Sequence, residues 1–252
     1  MRSVIVPPKV SVITVCYNAV DTIEKTLLSV IHQTYDSIEL IVVDGGSTDG
    51  TIDVIKKYEE KISLWKSEPD DGVYDAMNKA VKMAGGDWLF FLNSDDVFYD
   101  SEVLSRVAPL LQHPNTIYYG DVIKLPTHER YSGRFSRYKL SGQNMCHQSI
   151  FYPKIVFDIY QYATCYKIYA DWDLNLKCMG NPDLRFEYIY MVIAYFNIEG
   201  LSSSRDDHRF KKDFYQIIRR HLGLQYSLYS WIVRRLSMYK SRIMRSNIVL
   251  EW

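Results

Sequence analysis

The sequence predicts an α/β fold: a doubly wound, mostly parallel sheet with helices on both faces, followed by a C-terminal helical extension. Three observations predict it. Short apolar runs alternate with helical patterns over the first hundred residues. Most of those runs are apolar nearly throughout, as strands covered on both faces are. From Arg205 onward the composition turns basic and aromatic.

Val10 to Cys16 reads as the first strand, Leu40 to Val43 as the second, Ile62 to Trp65 as a weaker third and Trp88 to Leu92 as the fourth. Between them, Ile23, Leu27, Val30 and Ile31 repeat at helical spacing, with Asp21 and Glu24 placed as a capping box. Ile52, Ile55 and Tyr58 mark a second helix, with Thr48 and Asp49 as its cap. Tyr74, Met77, Val81 and Ala84 mark a third. This order predicts parallel strands joined by right-handed crossovers. Beyond Asp96 the pattern loosens. A helix capped by Asp100, strands near Thr116 to Tyr119 and His147 to Tyr152, a helix from about Asp171 and one or two strands over Leu184 to Ile198 are expected.

The chain has 252 residues, 47% of them hydrophobic, which is enough for one large core. Thirty basic and thirty acidic side chains cancel, so no global field draws the protein to nucleic acid. Cys16, Cys146, Cys165 and Cys178 form no C-x-x-C pair and read as thiols in a reducing compartment. Met1 to Pro8 holds no long apolar stretch, and no run approaches the ~18 apolar residues of a spanning helix. The expected location is cytoplasmic.

In an open parallel sheet, ligands bind beyond the carboxyl ends of the strands. Here those ends read Tyr17-Asn18, then Asp44 to Gly50, then Glu68 to Gly72, then Asn93-Ser94-Asp95-Asp96. Acids, Asn and Gly are also ordinary turn formers, but four such ends on one edge point to a site. The first turn lacks the glycines of a dinucleotide fingerprint, and no glycine-rich Lys-Ser/Thr loop exists. Carboxylates hold phosphate through a hard divalent cation, which makes Asp95 and Asp96 the metal-ligand candidates.

The segments VSVITVCYNA, IELIVVDGGSTDGT, DGVYDAMNKA and GGDWLFFLNSDD, in that order, resemble the family 2 glycosyltransferases of the GT-A fold. The likeness is strong over residues 9 to 100 and weaker to about 200. It implies an inverting transfer from a nucleotide sugar, usually a UDP-sugar, with Mg²⁺ or Mn²⁺. It implies Asp44 at the nucleoside base with Tyr17 nearby, Asp95 at the metal and Asp71 shaping the sugar pocket. Asn93 stands where many relatives carry Asp. Ala170 replaces the first acid of the family's catalytic pair, which leaves Asp171 as the match to the base. Asp171 also reads as a plain helix cap, and Asp173 is the next candidate. His147 is either structural or, as the resemblance implies, near the donor phosphates or the acceptor. Asn18 and Ser94 complete the donor-side set.

These expectations divide the chain into a catalytic domain, 1–204, and a tail, 205–252. The domain has a nucleotide-sugar half to about residue 100 and an acceptor half beyond it. The tail carries eleven Lys or Arg against four acids, with aromatics interleaved. It reads either as a membrane-surface helix serving a lipid-linked or glycan acceptor at the inner face of the cell membrane, or as a helix packed on the domain. Two other functions stay open: a nucleotidyltransferase acting on sugar phosphates, and a non-catalytic partner of a glycosyltransferase.

Overall fold

The computed structural model describes residues 7–131, 133–198 and 206–247, with side chains through 237. The boundary expected at 204/205 and the last five tail residues lie outside the described residues.

The four early strands are β1 (Val10–Cys16), β2 (Ile38–Asp44), β3 (Leu64–Ser67) and β4 (Trp88–Phe91). They lie in the order β3-β2-β1-β4, every pairing parallel. β3 begins two residues later than expected. It is the sheet edge and alternates between exposed and half-buried, so its apolar signal was weak.

Side chains alternate between the two faces of a strand. Ile13, Ile41 and Phe91 therefore enter one core, with Tyr74, Met77 and Ala80 of helix α3 (Val73–Met83). Val12, Leu40 and Phe90 enter another, with Ile23, Leu27 and Val30 of helix α1 (Ile23–Ile31). Helix α2 (Thr51–Lys57) adds Ile55 to that second face. Each fully buried large side chain contributes about 1.5–3 kcal/mol, so both faces are firmly held.

The second half is mixed rather than parallel. β5 (Val97–Phe98), β6 (Thr116–Leu125), β7 (Arg130–Tyr131), β8 (Ile150–Pro153) and β9 (Arg185–Asn197) extend the sheet beyond β4 in the order β8-β6-β9-β5, with β7 on β6. β8 runs antiparallel to β4 and β6, whereas β6 and β9 are parallel. Helices α4 (Val103–Val107), α5 (Arg137–Leu140) and α6 (Ile155–Ile159) are short. Helix α7 (Ala170–Gly180) begins where the sequence placed it.

In the tail, helix α8 (His208–His221) packs Phe210, Phe214, Ile217 and Ile218 into the same core as Trp172 of α7. Asp207 caps it, accepting from Phe210 N at 3.0 Å, and also accepts from Ile168 N at 3.0 Å. Helix α9 (Leu224–Asn247) follows. Among the described residues no helix is long and apolar enough to cross a membrane.

Two caps differ from expectation. Asp21 and Glu24 form no capping box: no side chain caps α1, and Glu24 instead accepts from Lys57 Nζ and Tyr58 Oη, both at 2.7 Å. The N-cap of α2 is Gly50, with no side-chain cap; Asp49, one residue earlier, accepts from Thr51 N and Thr51 Oγ1 at 3.0 and 2.6 Å. Thr48 instead donates its amide to Asn18.

Candidate active site

All four parallel strands deliver their following loops to one edge. Gly45 N bonds Cys16 O, Glu68 N bonds Asp44 O, and Leu92 N bonds Ile13 O, so the ladders continue into the loops.

Asp44, expected at the nucleoside base, is fully buried within its own loop. Its Oδ2 accepts from Gly46 N at 3.0 Å, Ser47 N at 2.9 Å and Ser67 Oγ at 2.7 Å. Its Oδ1 accepts from Ser47 Oγ and from the Cys16 thiol. Burial alone would push the Asp44 pKa up, but the hydrogen bonds from Ser47, Ser67 and Gly46 outweigh it and hold the pKa below the usual range. Asp44 thus folds the loop that other residues present. Asp44→Ala strands several buried donors and is expected to cost about 3 kcal/mol, measured as a lower urea midpoint.

Asn18 is likewise committed to the loop. It sits at φ 49°, donates its amide to Ser47 Oγ at 2.7 Å and accepts from Thr48 N at 3.0 Å. The neighbouring Tyr17 ring is 62% exposed. A Cβ on Gly45 would lie 2.5 Å from Asp70 Oδ2 and 3.3 Å from the Tyr17 ring. Only glycine leaves room there, and Tyr17, Gly45 and Asp70 form one wall.

On this loop the acid turned toward the wall is Asp70, not Asp71. Asp71 is exposed; its amide donates to Asp75 Oδ2 at 3.2 Å and its carbonyl accepts from Lys167 Nζ at 2.8 Å. The sequence offered two adjacent acids and no signal to choose between them.

The turn after β4 splits its residues. Asp96 N bonds Asn93 O at 3.0 Å, closing the turn around a half-buried Ser94 and Asp95. Asp96 points inward and is 1% exposed. Its Oδ2 accepts from Gln148 Nε2 at 2.6 Å and its Oδ1 from Asn197 N at 2.9 Å. Burial, then the neighbouring Asp95 charge, pushes its pKa well up. Asp96, expected as a metal ligand beside Asp95, pins the turn to β9 and to the 146–149 segment. Burial also pushes the Asp95 pKa up, partly offset by its own backbone and His147.

Asn93 and His147 come together, with Asn93 Nδ2 3.0 Å from His147 Nε2. An amide nitrogen can only donate, so Nε2 accepts and the ring proton sits on Nδ1. Nδ1 lies 3.3 Å from Asp171 Oδ2. One imidazole therefore links the turn after β4 to α7. Asn93 Oδ1 is buried with no protein partner.

Asp171 is 6% exposed and does not act as the N-cap of α7, which is Tyr169. Asn144 Nδ2 donates to its Oδ2 at 2.8 Å. Its Oδ1 accepts from Trp172 N at 2.8 Å and lies 3.0 Å from the Tyr74 hydroxyl. Asp173 is ion-paired with Lys177 at 2.6 Å, away from this network. Asn144 and Tyr74 carried no sequence signal for the site: one sits in an irregular segment, the other on the apolar face of α3.

Among the described residues no three His, Cys, Asp or Glu are grouped to hold a metal ion. A cation bound to substrate phosphates needs only one or two protein carboxylates. In the turn after β4, Asp96 is turned inward and Asp95 is half-buried, so Asp95 is the carboxylate there that could meet such an ion.

The glycosyl transferase family 2 model matches residues 11–172, which span every residue just described except Asp173, Lys177 and Asn197. The chain belongs to glycosyl transferase family 2. The glycosyltransferase is 37% identical, over 97% of both chains, to a PGL/p-HBAD biosynthesis glycosyltransferase of Mycobacterium bovis (strain BCG / Pasteur 1173P2). It shares its fold with S. aureus TarS 1-349 in complex with UDP, at TM-score 0.64 and 20% identity over 87% of this chain and 72% of that one. It also resembles the mannosyltransferase PcManGT from Pyrobaculum calidifontis in complex with GDP-Man and Mn2+, at TM-score 0.65 and 17% identity over 98% and 81%. The glycosyltransferase therefore has the GT-A fold expected from its motifs.

Proposed function

We propose that this glycosyltransferase moves a sugar from a nucleotide diphosphate donor, a UDP-sugar first, to a hydroxyl of a glycan or lipid-linked acceptor, with inversion. The reaction would serve surface polysaccharide biosynthesis at the inner face of the cell membrane. One observation carries the reading: His147 joins Asn93, on the donor-side turn, to the buried carboxylate of Asp171.

The wall of Tyr17, Gly45 and Asp70 receives the nucleoside. Asn93 Oδ1 accepts from a ribose or sugar hydroxyl. Asp95 would hold a Mg²⁺ or Mn²⁺ ion, which neutralises charge on the departing diphosphate. Asp171 takes the acceptor proton as that oxygen attacks the anomeric carbon. Asn144, Tyr74 and Trp172 N fix the carboxylate in place. His147 at 3.3 Å is its loosest partner, so Oδ2 is the oxygen that meets the acceptor. One carboxylate without an ion-pairing lysine or arginine suits one displacement with inversion, since the neighbouring Asp173 is paired with Lys177.

The test is incubation of the pure protein with UDP-, GDP- and dTDP-sugars plus Mn²⁺. Release of the nucleoside diphosphate from one of them, with a thermal shift on adding UDP and Mn²⁺, is expected. No turnover and no shift with any donor would instead support a non-catalytic partner.

A further inference from the structure

Helix α9 packs with its apolar side outward. Toward the protein it turns Ser227, whose hydroxyl donates to Tyr215 O at 3.0 Å, and Ser230, 1% exposed. Arg234 joins them, its guanidinium 4.0 Å from the Phe214 ring centroid. Away from the protein it turns Leu224, Leu228, Trp231, Ile232 and Leu236, each 46–58% exposed. These recur at spacings of three and four, so they share one stripe, with Arg235 among them. A helix on a soluble domain ordinarily buries such a stripe. Seven of the fifteen large exposed apolar residues among those described fall between 224 and 236, which makes this a patch rather than scatter.

Charge selects the occupant. Between 224 and 247 the sequence has five Lys or Arg and no acid. The adjoining α8 exposes Arg219 and Arg220. A second copy of the chain would set this basic face against itself. An anionic lipid surface satisfies both features, with the stripe in the acyl boundary and the arginines at the head groups. The helix would lie in the plane of the interface, since no described helix can span a membrane.

We propose that the outward stripe of α9 docks this protein on an anionic lipid surface. The face is tied to the acceptor side of the site. Arg234 also lies 5.8 Å from the ring of Trp172, next to Asp171, and Tyr138 of α5 contacts Tyr226 and Tyr229 at 4.7 and 5.0 Å between ring centroids. Docking rests on the proposed function only in that a lipid-linked acceptor gives it a purpose.

The full chain is sedimented with vesicles of phosphatidylcholine alone and of phosphatidylcholine with phosphatidylglycerol. Binding to the anionic vesicles is expected, reduced about tenfold or more in Leu228→Asp/Ile232→Asp, with circular dichroism unchanged. Absent wild-type binding, or equal binding by a folded variant, overturns the proposal. Light scattering gives a second arm: a wild-type dimer that the double variant dissolves overturns it in favour of a second copy. Donor turnover without vesicles separates the two readings. Turnover without vesicle binding rejects docking alone, and vesicle binding without turnover rejects the transferase reading alone.

Discussion

Asp171→Asn is expected to lower turnover by about 10²–10⁴-fold, the usual loss when a general base is removed, with nucleotide affinity unchanged. The substitution keeps the volume and one carbonyl oxygen, so Tyr74 and Trp172 N can retain an acceptor. It removes the site that receives the acceptor proton. Asp171 lies across His147 from the turn after β4, so the donor should bind as before. Single-turnover transfer and calorimetric titration of the nucleotide separate the two quantities. A wild-type rate would remove Asp171 from the chemistry.

Asp95→Ala is expected to weaken nucleotide binding in Mn²⁺ by about 10²-fold and to abolish the difference between titrations with and without the metal. Asp95 is the one acid of its turn that is not tied inward, since Asp96 serves Gln148 and Asn197. Removing Asp95 also removes the like charge that raises the Asp96 pKa, so the fold should hold or gain slightly. Titration of UDP with and without Mn²⁺ checks both points. Unchanged UDP affinity in Mn²⁺ would sink the metal role.

The four parallel strands were legible because both faces of each inner strand are buried, which leaves unbroken apolar runs such as Val10–Cys16. The site's location followed from where those runs stop. Which acid faces the cleft did not. Asp44 and Asp96 turn inward because of Ser67 and Asn197, partners 23 and 101 residues away. Adjacent acids at a strand end look alike until the fold supplies such donors. Glu24 was lost to a cap in the same way, through Lys57 and Tyr58. The antiparallel β8 was not legible because strand direction depends on long connections with little regular pattern. The apolar periodicity of α9 would by itself predict a buried stripe. Its exposure follows from α8 already filling the core above Trp172 with Phe210 and Phe214.

The proposed site divides its labour across His147, with donor binding at the turn after β4 and proton removal at Asp171. Measuring nucleotide affinity and transfer side by side in Asp95→Ala and Asp171→Asn tests it most directly. The expected result is that Asp95→Ala loses binding, whereas Asp171→Asn binds as wild type and does not transfer. Equal loss of binding in both variants, or transfer by Asp171→Asn at the wild-type rate, would contradict it.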